Sequence, residues 1–110
     1  MKSKYNAKKV VVDGIKFDSK KEAARYNELK LLERCGDISN LEMQPRFELL
    51  PAFSYGDEKF RKMEYVADFR YTRDGKTFVE DVKGYKTKEY VLKKKLFLYK
   101  YGVDVRFEEV

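Results

Sequence analysis

The chain has no histidine in its 110 residues. That excludes every mechanism that uses imidazole as a base, and most zinc sites with it. A single cysteine, Cys35, cannot form an internal disulfide, and its setting, Cys35-Gly36-Asp37, reads as a helix end rather than a reactive thiol. No apolar run approaches the length of a membrane span. The basic opening MKSKYNAKK lacks the apolar stretch of a secretory signal, so no membrane association is expected and the chain is placed in the cytoplasm. Repeats, low-complexity tracts and linkers are also missing, and residues 1–110 are read as one domain. What chemistry remains must run on carboxylates, lysine or hydroxyls, and any metal must be held by oxygen.

Against these absences, hydrophobic residues make up 43% and aromatics 15%, enough for one core. Lys and Arg number 25 against 19 Asp and Glu, a net charge of +6. Such a surplus favours a polyanionic partner, because phosphate contacts release counterions. The carboxylates are the more informative feature, since a protein that only grips phosphates has no use for them in the middle of its strands.

The order of elements follows from local signals. Val10–Phe17 sets apolar residues on both sides of Asp13-Gly14, which predicts a hairpin. Ser19 and Glu22 have the spacing of a capping box, and Glu22–Arg34 carries helix-forming residues that Cys35-Gly36 brings to an end. Three extended segments follow: Phe47–Phe53, where Pro51 argues for an edge or bulge, Phe60–Tyr71, and Lys76–Lys83. The last two are joined by a turn over Thr72–Gly75. A second helix is predicted from about Thr87 to Tyr101, stopped by Gly102, and a final strand over Val103–Phe107. Helix, three strands, helix, strand makes an α/β domain whose last strand–helix–strand unit is a right-handed crossover between parallel strands.

The two central strands point to chemistry. With a two-residue loop at Asp74-Gly75, opposed positions have residue numbers totalling 149, a condition Asp68 and Asp81 meet. Like charges facing each other are destabilising unless one is protonated or a cation lies between them. A longer loop would shift that pairing. Hard oxygen donors point to Mg²⁺, with Mn²⁺ as its substitute. Alternation sets Asp81 and Lys83 on one face and Glu80 on the other, although a slip of one residue would bring Glu80 into the place of Asp81. Lys83 beside a metal-bound carboxylate can orient an attacking water and stabilise charge on a phosphate. The bland alternative is a solvated ion pair.

VADF (Val66 to Phe69) followed by VEDVKG (Val79 to Gly84) resembles the signature of the PD-(D/E)XK nuclease superfamily, although Ala67 stands where the family's namesake proline would be. The resemblance implies a restriction-endonuclease-like core, helix–strand–strand–strand–helix–strand, with a mixed sheet flanked by helices and here a short N-terminal hairpin. It implies that Asp68, Asp81 and the backbone carbonyl of Val82 hold the metal and that Lys83 activates water. Members similar to phage junction-resolving enzymes add a glutamate from the first helix, and Glu22 in FDSKKEAARY matches that place. Glu22 also has a reading as the reciprocal partner of Ser19 in the capping box. A helical projection sets it on the face of Tyr26 and Leu29, toward the core.

Lys86, Lys88, Lys94 and Lys95 follow the motif and are candidates for the DNA backbone, against the alternative of a solvated helix face. Val91, Leu92, Leu96, Leu98 and Tyr99 are expected to form the apolar side of the second helix, with Lys95 inside that stripe and snorkelling out or reaching toward the site. The expected activity is Mg²⁺-dependent DNA endonuclease cleavage, on branched DNA of the Holliday-junction type, in phage recombination or replication inside a bacterial host. Symmetric cutting of two strands calls for a homodimer. Two other classes are open: a catalytically inactive nucleic-acid-binding module, and a phage protein whose basic face meets an acidic host partner.

Overall fold

The computed structural model describes residues 9–82 and 86–110. It opens on the hairpin β1 (Val10–Val12) and β2 (Ile15–Phe17), with Val12 opposite Ile15. Asp13 and Gly14 both have positive φ, 54° and 76°, as a type I′ turn requires. Helix α1 spans Lys20–Arg34. Ser19 caps it, its side chain accepting the Glu22 N–H at 3.1 Å, and Cys35 is the C-cap. The buried stripe of α1 is Glu22, Ala23, Tyr26 and Leu29, the face the helical projection gives.

After α1 the chain runs through β3 (Ser39–Met43), β4 (Arg46–Leu50), β5 (Phe53–Tyr55), β6 (Glu58–Phe60), β7 (Met63–Val66), β8 (Phe69–Arg73) and β9 (Lys76–Asp81). Helix α2 (Lys88–Tyr101) and β10 (Arg106–Glu109) complete it. The main sheet has the order β10-β9-β8-β3, with β9 parallel to β10 and the other pairs antiparallel. The chain is thus mixed α/β, and the parallel pairing across α2 agrees with the strand–helix–strand reading. No helix among the described residues is long and apolar enough to cross a membrane.

Three expectations need correction. The first strand of the sheet is β3, whose alternation is confined to Leu41-Glu42-Met43, too short to give a clear periodic signal. The apolar segment at Phe47 instead forms β4, which stops before Pro51 and pairs with β7 outside the main sheet. Phe60–Tyr71 is not one strand. It is cut into β6, β7 and β8, and the break between β7 and β8 falls at Ala67-Asp68.

That break is a bend in a continuous ribbon. Met43 pairs with Phe69, and Arg46 with Val66, so the register is the same on both sides. Between them Gln44 donates its N–H to the Asp68 carbonyl at 2.9 Å, and Ala67 donates to the Pro45 carbonyl at 3.1 Å. Gln44 takes a positive φ of 55° at the bend.

Apolar residues pack on both faces of the sheet. Phe17, Ala23, Tyr26, Leu29, Ile38, Phe69 and Tyr71 form the cluster under α1. Phe47, Tyr65, Ala67, Val79 and Phe97 form the one under α2. The residues of α2 that enter it are Phe97, Tyr90 and Tyr101, an aromatic stripe at positions i, i+7 and i+11. Val91, Leu92, Leu96, Leu98 and Tyr99 are exposed, so the aliphatic side expected to pack is the outer one. The helix is apolar on both sides, and the larger rings win the interior because they bury more area.

One charge lies wholly inside. Glu80 has no exposed surface, and Arg25 of α1 grips it in a bidentate pair at 2.8 and 2.6 Å. The Tyr71 hydroxyl donates to the same carboxylate. Glu80 is therefore committed to the α1 side and does not replace Asp81. Arg25→Met strands a buried carboxylate and is expected to lower stability by about 3–5 kcal/mol. Urea unfolding measures this, and adding Glu80→Gln, which still accepts from Tyr71, should recover a large part. A loss under about 1 kcal/mol would show that the pair is not a structural clamp.

Candidate active site

The two-residue loop at Asp74-Gly75 is present, with φ of 52° and 74° and Arg73 opposite Lys76. The register holds as far as Phe69 opposite Glu80. One step further the ladder gives way at the bend. The Asp68 N–H turns to the Glu80 carbonyl at 3.0 Å, and the Asp68 side chain accepts the Val82 N–H on Oδ2 at 2.6 Å. Asp68 and Asp81 remain neighbours, but through side chains at a broken rung rather than as an in-ladder pair.

Glu22 reaches the same place from α1. Its carboxyl shares a hydrogen bond with Asp68 and takes another from the Asp18 backbone. Ser19 caps the helix without using the Glu22 side chain, so the capping-box reading is half right: the N–H is used and the carboxyl is spent elsewhere. Asp81, at the end of β9 and buried, accepts from the buried Tyr65 hydroxyl on Oδ2.

The electrostatics follow from crowding. Burial, and then the charge of Asp81, push the Asp68 carboxyl up to about 8, against the opposing Val82 N–H. Burial also raises Glu22, with Asp18 and Asp81 adding to it. Tyr65 is raised by burial and by its bond to Asp81, so it stays a proton donor. The result is an acid pair, Glu22 and Asp68, that holds a proton near neutrality next to a third carboxylate.

A cleft of about 410 Å³ opens onto this group, lined by Asp18, Glu64, Tyr65, Val66, Asp68, Asp81, Thr87, Glu89, Tyr90 and Lys93. Five of these are carboxylates and one is a lysine, in a chain of net charge +6. The acidity is local. Lys93 belongs to the basic run Lys93–Lys95 that the sequence offers to the DNA backbone, and it is the lysine of that run that lines the cleft.

The other expected positions divide. Lys83 lies outside the described residues. Lys86 and Lys94 pair with Glu109 at 3.1 and 3.0 Å, and the Tyr90 hydroxyl donates to the same carboxylate. The Tyr90 bond, then Lys94 and Lys86, lower Glu109 to about 2. Lys88 and Lys95 are exposed and do not line the cleft; Lys95 neither packs in a stripe nor reaches the site.

As for a metal, the donors are all hard oxygens, which suit Mg²⁺. Among the described residues no three acidic, histidine or cysteine side chains are arranged to hold an ion. Asp68, held up near 8, keeps its proton at neutral pH beside Glu22, and one Asp81 oxygen is turned to Tyr65. An ion here has to displace that proton.

The DUF1064 family, described as a protein of unknown function, matches residues 2–109, and the chain belongs to it. No curated protein matches the chain.

A pH dependence follows. In the unfolded chain Asp68 titrates near 3.8, and in the fold near 8, so the folded state holds its proton more tightly. This contribution is fully present below 3.8 and is lost as pH rises through about 8. Thermal unfolding between pH 5 and pH 9 should show stability falling, and Asp68→Asn should flatten the slope. An unchanged slope in the variant would mean that Asp68 is not the titrating group.

Proposed function

We propose that the chain is a Mg²⁺-dependent DNA endonuclease with a PD-(D/E)XK-type core, acting on branched DNA of the Holliday-junction class. The observation that supports this best is the meeting of Glu22, Asp68 and Asp81. They come from three separate elements and face one another at a bend and a strand end, beside an open cleft. A fold gains nothing in stability from three carboxyls held together against burial and mutual repulsion, so the cost points to use. The element order α1, β3, β8, β9, α2, β10 supports this reading when the β4–β7 ribbon is taken as an insertion.

In this reading Asp68, Asp81 and Glu22, with the Val82 carbonyl, hold the metal. Bound there, Mg²⁺ (or Mn²⁺ in its place) polarises the scissile phosphate and lowers the pKa of a water. The chain's own residues do the positioning. The Val82 N–H fixes the Asp68 carboxylate, the Tyr65 hydroxyl fixes Asp81, and Arg25 on Glu80 fixes the strand between them. Lys93, paired with Glu89 at 3.2 Å, offers a cation to phosphate inside an otherwise acidic cleft once it leaves that partner. Lys83 is assigned the orientation of the attacking water, and the products are a 5′-phosphate and a 3′-hydroxyl, both from the resemblance. Lys86 and Lys94 contribute to DNA binding only after exchanging Glu109 for phosphate, whereas Lys88 and Lys95 are already exposed.

Metal binding and activity can be measured separately. Mg²⁺ or Mn²⁺ should raise the unfolding temperature, more at pH 9 than at pH 6, because the ion competes with the proton on Asp68. Labelled four-way junction, linear duplex and single strand should be cut with metal and not with EDTA, the junction fastest. Asp81→Asn should abolish cutting, and Lys83→Ala should slow it by about 10²–10⁴-fold. Three intact substrates with binding retained would make the chain a binding module instead.

A further inference from the structure

Beyond the paired Leu50 and Met63, all residues from Pro51 to Lys62 are exposed, yet they are ordered as the β5–β6 hairpin. Phe53 is paired with Phe60, Ser54 with Lys59 and Tyr55 with Glu58. Alternation along each strand sets Phe53, Tyr55 and Phe60 on one face. The Phe53 and Phe60 rings stack on each other, with centroids 4.8 Å apart and planes at 12°. That stack stabilises the hairpin and by itself needs no ligand.

Tyr55 is different: it is 79% exposed, outside the stack, and beside two rings that are themselves 45% and 38% exposed. Three aromatic rings on one solvent-facing strip are costly unless something covers them. The charges near them select the occupant. Lys59, opposite Ser54 on the reverse face, and Arg61 make no ion pair among the described residues, and their long side chains can reach round the strand edge; Lys62 meets Glu64 at 3.4 Å. Glu64, Tyr65 and Val66, into which the hairpin continues, line the cleft. Asp57 lies in the turn and Glu58 opposite Tyr55 on the ring face, so the negative charge sits at the tip of the hairpin, the end furthest from β7.

We propose that this hairpin is a nucleic-acid-binding arm: its aromatic face stacks on unpaired bases of the DNA strand that enters the cleft, while Lys59, Arg61 and Lys62 meet the flanking phosphates. Aromatic platforms beside a basic track are how proteins hold single strands without reading sequence. The direction of the strand, toward the cleft, rests on the nuclease reading; the stacking does not. Such an arm suits a substrate with bases out of the stack, as at a branch point or a flap.

The chain has no tryptophan, so Tyr55→Trp installs a sole indole on the arm. In EDTA, single-stranded oligo-dT should quench its emission, and a blunt duplex of equal length should not. Phe53→Ala with Tyr55→Ala should weaken oligo-dT binding about tenfold or more, the worth of one stacked base. Lys59→Glu with Arg61→Glu should lower the salt slope of binding by about 1.4. All these positions are exposed, and circular dichroism checks that the variants fold. Unquenched indole with unchanged affinity in the variants overturns the arm. So does an oligomer that the ring variants dissociate, since the strip is then a contact between copies of this chain.

Asp81→Asn, run alongside, separates the two readings. Ribbon-dependent quenching without any metal-dependent cutting by the natural chain leaves the arm standing and removes the nuclease. Cutting that the ring variants leave unchanged in KM does the reverse.

Discussion

The buried pair of Arg25 and Glu80 is the contact on which the arrangement of the site depends. A carboxylate with no exposed surface has to be matched, and here the match comes from a helix on one face of the sheet. The fork of Arg25 fixes how α1 is rotated over β9. Glu22 stands three residues earlier, on the adjoining part of the same helix, so the rotation that satisfies Glu80 also turns Glu22 toward Asp68. Glu80 in turn lends its carbonyl to the Asp68 N–H. One matched charge thereby helps set the positions of Glu22, Asp68 and Asp81.

Alternation along β9 separates two roles that adjacent acidic residues would otherwise confuse. Glu80 goes to α1 and is neutralised by Arg25 and Tyr71; Asp81 goes to the α2 side, where Tyr65 and the cleft receive it. The first is a structural ion pair with its hydrogen bonds filled. The second belongs to a group in which burial and repulsion raise Asp68.

Much of this was legible in the sequence because it depends on short-range rules. Asp-Gly turns set two hairpins, Ser19 set the start of α1, and the spacing of Glu22, Tyr26 and Leu29 set its inner face. The loop at Asp74-Gly75 carried the register to the edge of the site. What was not legible depends on long-range competition. β3 alternates only over Leu41–Met43 and is fixed as a strand by its pairing with β8. The bend at Gln44 and Asp68 is a property of two strands at once. The expected inner side of α2 is the outer one because apolar residues occupy both sides, and only the volume beneath the helix decides between them. Lys86 and Lys94 looked free until β10 brought Glu109 between them.

The ribbon has a consequence for descent within the family. Leu50 and Met63 are already partners, so the chain leaves and re-enters at one rung. Everything between them is a closed excursion whose length places no strain on the sheet, on α1 or on the acidic group. Loop-closure entropy grows only slowly with size, so residues can be gained or lost there at small thermodynamic cost. Relatives are then free to diverge at this hairpin while the arrangement of carboxylates stays as it is.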